Sequence, residues 1–231
     1  MEKLFVVFFL ILFCSFQYGF ATVHRYSFVL KDSSYTRLCN TTTILTVNGQ
    51  FPGPTLYVAE GDTLVVDVIN RASENVTIHW HGVKQPRYPW SDGPVFITQC
   101  PIRPGTRFSQ KIVLSDEIGT LWWHAHSDWS RATVNGALIV RPRKGNDYPF
   151  PKPAAEIPVI LGEWWIPEIR TVFGEFLETG GDSRLSDAFL INGQPGDLYP
   201  CSSRGNELDF CPIRFILAAD FDVDYLQIHS G

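Results

Sequence analysis

Two pairs of histidines, each separated by a single residue, constrain this chain more than any other feature of its sequence. The pairs are His79-Trp80-His81 and His124-Ala125-His126. Residues i and i+2 of a β-strand point to the same face, about 7 Å apart at a rise of roughly 3.3 Å per residue. Two such strands lying side by side would therefore place four imidazoles around one small volume.

Imidazole is a ligand for copper, zinc, iron and nickel, so the residue type predicts a metal site. The spacing does not choose among these metals, and a zinc hydrolase fits the four residues as well as a copper protein does. The alternative is that the histidines pack in a protein core. Two pairs at the same spacing, each beside tryptophan, favour the metal site over that alternative.

Short apolar runs separated by Gly, Pro, Asn and Asp fill residues 23–142. This spacing predicts an all-β sandwich or barrel as a first domain. We expect one short helix near residues 128–133, with Asp128 as its N-cap. The expected strands lie near residues 26–30, 44–47, 63–70, 76–80, 106–114, 120–124 and 136–141.

A second β unit follows the first. Residues 143–158 are rich in proline and charge and are interpreted as a linker, after which residues 159–203 begin the second unit. The segment 190–196 (LINGQPG) echoes 47–53 (VNGQFPG), which indicates two related domains. The fold prediction is thus one complete domain and a partial second one.

The first residues predict a signal peptide over residues 1–21. Lys3 precedes an apolar run over residues 4–16, and Gly19-Phe20-Ala21 offers a small-x-small cleavage site. The run has 13 residues, whereas a membrane span needs roughly 20. We therefore expect removal after about Ala21 and a secreted chain, not a membrane anchor.

Charge and cysteine content limit the partners and the compartment. The net charge is −5 and no basic stripe occurs, which argues against nucleic acid. Once Cys14 leaves with the signal, four cysteines remain in an oxidising compartment, and spacing leaves three pairings open. Sequons at Asn40 and Asn75 fit a glycosylated surface.

Four stretches together resemble the first domain of a plant laccase, a branch of the multicopper oxidases. The resemblance runs from about residue 23 to Ser203 and implies cupredoxin-like Greek-key domains. The stretches are Asn48-Gly49-Gln50-Phe51-Pro52-Gly53-Pro54-Thr55-Leu56, His79-Trp80-His81-Gly82, Trp90-Ser91-Asp92-Gly93-Pro94 with Thr98-Gln99-Cys100-Pro101-Ile102, and Trp122-Trp123-His124-Ala125-His126-Ser127.

Position by position, the resemblance implies half of a trinuclear copper cluster. His79 resembles a ligand of the type 2 copper, and His81, His124 and His126 resemble ligands of the type 3 copper pair. Asp92 resembles an acid that supplies protons to dioxygen, although the residues alone equally allow it to start a turn.

The resemblance also implies a disulfide between Cys100 and Cys201. It leaves Cys39 and Cys211 either paired with each other or free. His24 and His229 lie outside the matching motifs and are expected on the surface.

The activity implied is that of a secreted, apoplastic and monomeric oxidase involved in lignin degradation. It would couple oxidation of phenolic substrates, such as lignin precursors, to four-electron reduction of dioxygen to water. The chain contains no His-Cys-His triplet, the hallmark of the family's type 1 copper site. We therefore expect little activity from this chain alone. Residues 204–231 do not continue the resemblance, and the hypothesis is a truncated or mis-spliced product.

Three other functions stay open on the sequence. One is a non-catalytic secreted cupredoxin-fold glycoprotein of the cell wall, and another is a zinc protein without oxidase activity. Among oxidases, an ascorbate oxidase or ferroxidase is the nearest rival.

Overall fold

The computed structural model describes residues 21–148, 150–151 and 155–196, together with the backbone of residues 225–227. Most of the signal peptide, Cys201, Cys211, His229 and nearly all of the tail 204–231 lie outside these residues. The strands are β1 (Val23–Arg37), β2 (Asn40–Val47), β3 (Leu56–Ala59), β4 (Thr63–Asn70), β5 (Ile78–His81), β6 (Arg107–Val113), β7 (Gly119–Ala125), β8 (Asn135–Arg141), β9 (Pro158–Trp164), β10 (Ala188–Ile191) and β11 (Tyr225–Gln227).

Two four-stranded sheets form the sandwich, and the predicted all-β class is confirmed. Their strand orders are β2-β1-β4-β6 and β3-β8-β7-β5. Strand β4 shows why they pack face to face: Leu64, Val66 and Val68 alternate with less buried residues along it. That period of two turns one apolar face of the strand inward.

Aromatic side chains join the two sheets at the centre of the core. Phe28 on β1 contacts Trp123 on β7 and Trp80 on β5, with ring centroids 4.5 and 6.2 Å apart. Both tryptophans are completely buried. Burying a large apolar side chain contributes roughly 1.5–3 kcal/mol, so these three rings hold β5 and β7 firmly in place.

The helical content differs from the prediction. The short helix is a 3-10 turn at Ser130–Ala132 that follows Trp129. Asp128 does not cap it, because its backbone is left-handed with φ of 47°. A second 3-10 turn spans Pro89–Ser91, and an unexpected α-helix, α1, spans Ile169–Thr179. Helix α1 has no side-chain N-cap hydrogen bond and contains Gly174, so it lacks the usual signals of a helix.

Two Asn-Gly turns with the same geometry support the internal repeat. Asn48 and Asn192 have φ values of 57° and 49°. The Oδ1 atom of Asn48 accepts a hydrogen bond from the N–H of Val29, and the Oδ1 atom of Asn192 accepts one from Ile160, both at 2.8 Å. Each asparagine thus fastens its turn to a neighbouring strand in the same way.

The second β unit packs on the outer face of the first. Strands β10, β9 and β11 form a three-stranded sheet. Ile160 of β9 forms a small buried cluster with Ala137 and Ile139 of β8. Within the described part of the chain, no helix is both long enough and apolar enough to cross a membrane.

Candidate metal centre

Strands β5 and β7 position the histidines. The strands pair antiparallel, with His79 opposite His124 and Trp80 opposite Trp123. Because side chains alternate between the two faces of a strand, the tryptophans that enter the core force the histidines to the outer face. The same alternation that builds the core therefore builds the site.

The four histidines converge on this outer face. One ring nitrogen each of His79, His81 and His124 lies within 4.8 Å of the others. His126 follows the end of β7, and its ring centroid is 5.3 Å from that of His79 and 5.9 Å from that of His124. Three rings therefore form a tight group and the fourth stands beside it.

Backbone carbonyls fix the orientation of two of the rings. The Nδ1–H of His79 donates to the carbonyl oxygen of Asp92 at 2.6 Å, and the Nδ1–H of His124 donates to that of Ala125 at 2.8 Å. A carbonyl can only accept, so in both neutral rings the proton sits on Nδ1. The lone pair on Nε2 is then available to a metal.

The donor set fits a metal that prefers imidazole. His124 is 5% exposed, and its Nε2 is buried with no hydrogen-bond partner among the described residues. Leaving a buried acceptor unpaired costs roughly 1–3 kcal/mol. A metal bound at that nitrogen would remove this cost, and three nitrogen ligands suit copper or zinc.

Burial and repulsion from neighbouring imidazoles keep His79 and His124 in the neutral form that a metal needs. The pKa of His124 is lowered from 6.5 to about 4, mainly by desolvation and in smaller part by the neighbouring histidines, against the hydrogen bond to Ala125. Desolvation also lowers the pKa of His79, although the backbone and charge of Asp92 oppose the effect. Both rings are thus neutral at physiological pH and ready to act as ligands.

Asp92 lies beside the cluster at the end of the Pro89–Ser91 turn. Its Oδ1 is 3.3 Å from Nδ1 of His79, and its side chain is 27% exposed. Its position fits both expectations for this residue, a turn former and an acid near the cluster. The next residue, Gly93, has φ of 106°, and a Cβ there would lie 2.7 Å from Cα of His79. The loop therefore packs directly on the β5 backbone.

Trp122 adds a contact that the spacing of the histidine pairs alone does not reveal. It lies two residues before His124 on β7 and therefore shares its face. The two ring centroids are 4.1 Å apart, and that of His81 is 5.5 Å from Trp122. Trp129, in contrast, packs on Phe173 and Phe176 of α1.

Two of the cysteines, Cys39 and Cys100, lie within the described residues. Cys100 is a free, exposed thiol, whereas Cys39 is disulfide-bonded. Cys100 lies on the exposed loop ahead of β6 and does not show the expected link to Cys201. Because Cys201 lies outside the described residues, that pairing stays a prediction. Asn40 and Asn75 are both exposed, so a glycan is sterically possible at each.

His24 is more than the surface residue that the sequence suggests. Its Nε2 lies 2.8 Å from Oδ2 of Asp62, and the two side chains are 28% and 10% exposed. It does not belong to the metal centre, so it serves as a natural reference histidine.

A metal-binding β-sandwich protein is the class that this fold and site define. The profile of the multicopper oxidase family matches residues 29–145. The chain is 58% identical over 198 residues to Laccase-14 of Arabidopsis thaliana, covering 85% of this chain and 35% of that protein. It is also 58% identical over 182 residues to putative laccase-9 of Oryza sativa subsp. japonica, covering 79% and 31%.

Solved structures agree with these sequence comparisons. The laccase from Botrytis aclada superposes with a TM-score of 0.66 at 27% identity, covering 82% of this chain and 34% of that one. The blue copper oxidase from Nitrosomonas europaea gives 0.61 at 28% identity, covering 74% and 54%. The expected cupredoxin-like fold is confirmed.

The chain belongs to the multicopper oxidase family, and copper is the cofactor that this membership gives it. It spans about a third of the length of the curated relatives that it matches.

Proposed function

We propose that this chain forms the first-domain half of the copper cluster in a laccase. That enzyme would couple the oxidation of phenolic substrates, including lignin-derived phenols, to the four-electron reduction of dioxygen to water. The observation that carries the proposal is the convergence of three histidine nitrogens within 4.8 Å. It occurs in a chain that is 58% identical to plant laccases over most of its length.

The four histidines would divide between the copper types. We assign His79 to the type 2 copper, and His81, His124 and His126 to the type 3 pair. Copper, when bound, supplies the electron-transfer chemistry. The hydrogen bonds from Nδ1 of His79 and His124 to backbone carbonyls fix the two rings and leave their Nε2 atoms free to hold copper when it binds.

Two further residues would serve the same reaction. Reduction of dioxygen to water consumes protons, and the Asp92 carboxylate beside His79 can hold one at Oδ1. Trp122 covers the rings of His124 and His81 and limits the access of water to them.

The proposal extends to the protein's surroundings. A secreted, apoplastic glycoprotein fits the exposed sequons at Asn40 and Asn75 and the disulfide at Cys39, since disulfides persist in oxidising compartments. We also propose that the protein acts as a monomer without nucleic-acid partners.

Dioxygen consumption in the presence of a phenol tests the proposed function. We expect the 231-residue chain loaded with copper to show little or no turnover. A longer protein that contains this chain should consume dioxygen, and His81→Ala or His124→Ala should abolish this. The matched control is His24→Gln, which lies outside the cluster and should retain full activity.

Metal analysis of the same chain after exposure to copper and zinc separates the alternatives. A chain that takes up no metal would favour a non-catalytic glycoprotein, and one that selects zinc over copper would favour a zinc protein. Full dioxygen consumption by a longer protein carrying His124→Ala would contradict the proposal.

A further inference from the structure

A glutamine that no motif contains lies at the junction of the two sheets. Gln110 is on β6, and its side chain is completely buried. Strand β6 forms the edge of one sheet and β5, which carries His79 and His81, forms the edge of the other. Gln110 therefore reaches from one edge strand to the other beneath the metal centre.

The amide of Gln110 binds both chain neighbours of His79. Its Nε2–H donates to the carbonyl oxygen of Ile78 at 2.8 Å, and its Oε1 accepts from the indole N–H of Trp80 at 3.2 Å. Residues before and after His79 are thus held by one planar group. A buried amide with its donors and acceptor satisfied is rigid, because breaking any of these bonds leaves an unpaired polar atom.

The same amide holds the loop that carries Asp92. Its second N–H donates to the carbonyl oxygen of Ser91 at 3.1 Å. An amide nitrogen has two hydrogens, so Ile78 and Ser91 take both, and the longer 3.3 Å contact to Gln99 is shared. The N–H of Lys111 adds a bond of 3.1 Å to Oγ of Ser91. Strand β6 therefore fixes the residue immediately before Asp92.

We propose that Gln110 is a positioning residue that sets the tautomer of His79. It holds His79 through Ile78 and Trp80, and it holds Asp92 through Ser91. The 2.6 Å bond from Nδ1–H of His79 to the Asp92 carbonyl depends on this alignment. Without it the His79 proton is free to move to Nε2, the nitrogen that the metal needs. The prediction for copper affinity rests on the proposed function, whereas the prediction for the tautomer of His79 does not.

Nuclear magnetic resonance of the metal-free chain with ¹⁵N-labelled histidine tests this directly. In the unsubstituted chain at neutral pH, we expect His79 to show a single Nδ1–H tautomer. Gln110→Glu and Gln110→Met keep the side-chain length but remove the amide donors, so each should give a mixture of His79 tautomers. Two variants are used so that misfolding of one leaves the other to decide.

His124 provides the internal control. Its Nδ1–H donates to Ala125 on its own strand, so its tautomer should stay unchanged in both variants. Gln50→Glu, at an exposed glutamine, is the matched substitution and should leave His79 unchanged. Unfolding of a variant would change the tautomer of His124 as well, whereas loss of the positioning contacts would change the tautomer of His79 alone.

Copper affinity gives a second readout. Residues that orient a metal ligand typically contribute 10–100-fold in affinity, and we expect a loss of about tenfold or more in each Gln110 variant. A single Nδ1–H tautomer of His79 retained in folded Gln110→Glu and Gln110→Met would overturn the inference. If the chain bound no copper at all, the proposed function would fail while the tautomer result would still stand.

Discussion

A hydrogen bond between His24 and Asp62 fastens the first strand to the turn before β4. The distance from Nε2 of His24 to Oδ2 of Asp62 is 2.8 Å. Asp62 also accepts hydrogen bonds from the backbone N–H groups of Thr22 at 2.8 Å and Ala59 at 2.9 Å. Burial raises the pKa of Asp62, but these bonds and the charge of His24 outweigh it and hold the pKa below its usual 3.8.

This arrangement predicts a pH-dependent contribution to stability. A carboxylate with a depressed pKa stabilises the fold above its unfolded pKa, and the contribution disappears as pH falls through the folded value. We expect Asp62→Asn to lower the free energy of unfolding by about 1–3 kcal/mol at neutral pH. Urea unfolding at about pH 7 and about pH 2 measures this, and the two proteins should converge at the lower pH.

Asp67 supplies the control for this prediction. It is an exposed residue of β4, the strand that begins directly after Asp62. Asp67→Asn should change stability by less than about 0.5 kcal/mol at either pH. A destabilisation by Asp62→Asn that stays constant down to low pH would show that the ionised carboxylate is not its source.

We predict that Gly93 does not tolerate a side chain, because both its backbone conformation and its contact with β5 exclude one. Its φ is 106°, and an added Cβ would lie 2.7 Å from Cα of His79. Gly105 has φ of 74° but open space where the Cβ would be. The left-handed backbone costs about 1–2 kcal/mol in both alanine variants, and overpacking should add about 1–3 kcal/mol at Gly93 alone.

Thermal unfolding of Gly93→Ala and Gly105→Ala checks that difference. We also expect Gly93→Ala to weaken copper binding, because relief of the overlap must move either Asp92 or His79. Equal losses of stability in the two variants, with unchanged copper affinity in both, would show that the loop does not press on β5.

The cysteines predict a specific labelling pattern. Cys100 is an exposed thiol and Cys39 is disulfide-bonded. Without reductant, an alkylating reagent should label Cys100 and leave Cys39 unlabelled, because only a thiol reacts. Peptide mass spectrometry reads the result. A disulfide-linked peptide containing Cys100 and Cys201 would instead support the pairing that the family resemblance implies.

Local patterns explain why much of the fold was predictable. Strand β4 was expected at residues 63–70 and is observed at Thr63–Asn70, because its period of two and the preceding Gly61 are strong signals. Strand β3 was missed because it has only four residues and pairs with β8, far along the chain. A short parallel strand has no local signature apart from a brief apolar run.

The convergence of the histidines was predictable from the sequence, but the contacts that support them were not. Placing His79 and His124 on strands was enough to predict that their rings meet. The carbonyl of Asp92 that holds His79 and the buried amide of Gln110 could not be inferred, because both depend on how a loop and a second sheet dock. Such contacts are set by tertiary packing, which leaves no periodic trace in the sequence.

Copper titration of the 231-residue chain tests the central claim most directly. Since three histidine nitrogens lie within 4.8 Å, we expect about one bound copper ion per chain, held less tightly than in a complete cluster. His124→Ala should weaken binding at least about tenfold, whereas His24→Gln should leave it unchanged. Equal copper affinity in the unsubstituted chain and in folded His124→Ala would contradict the account.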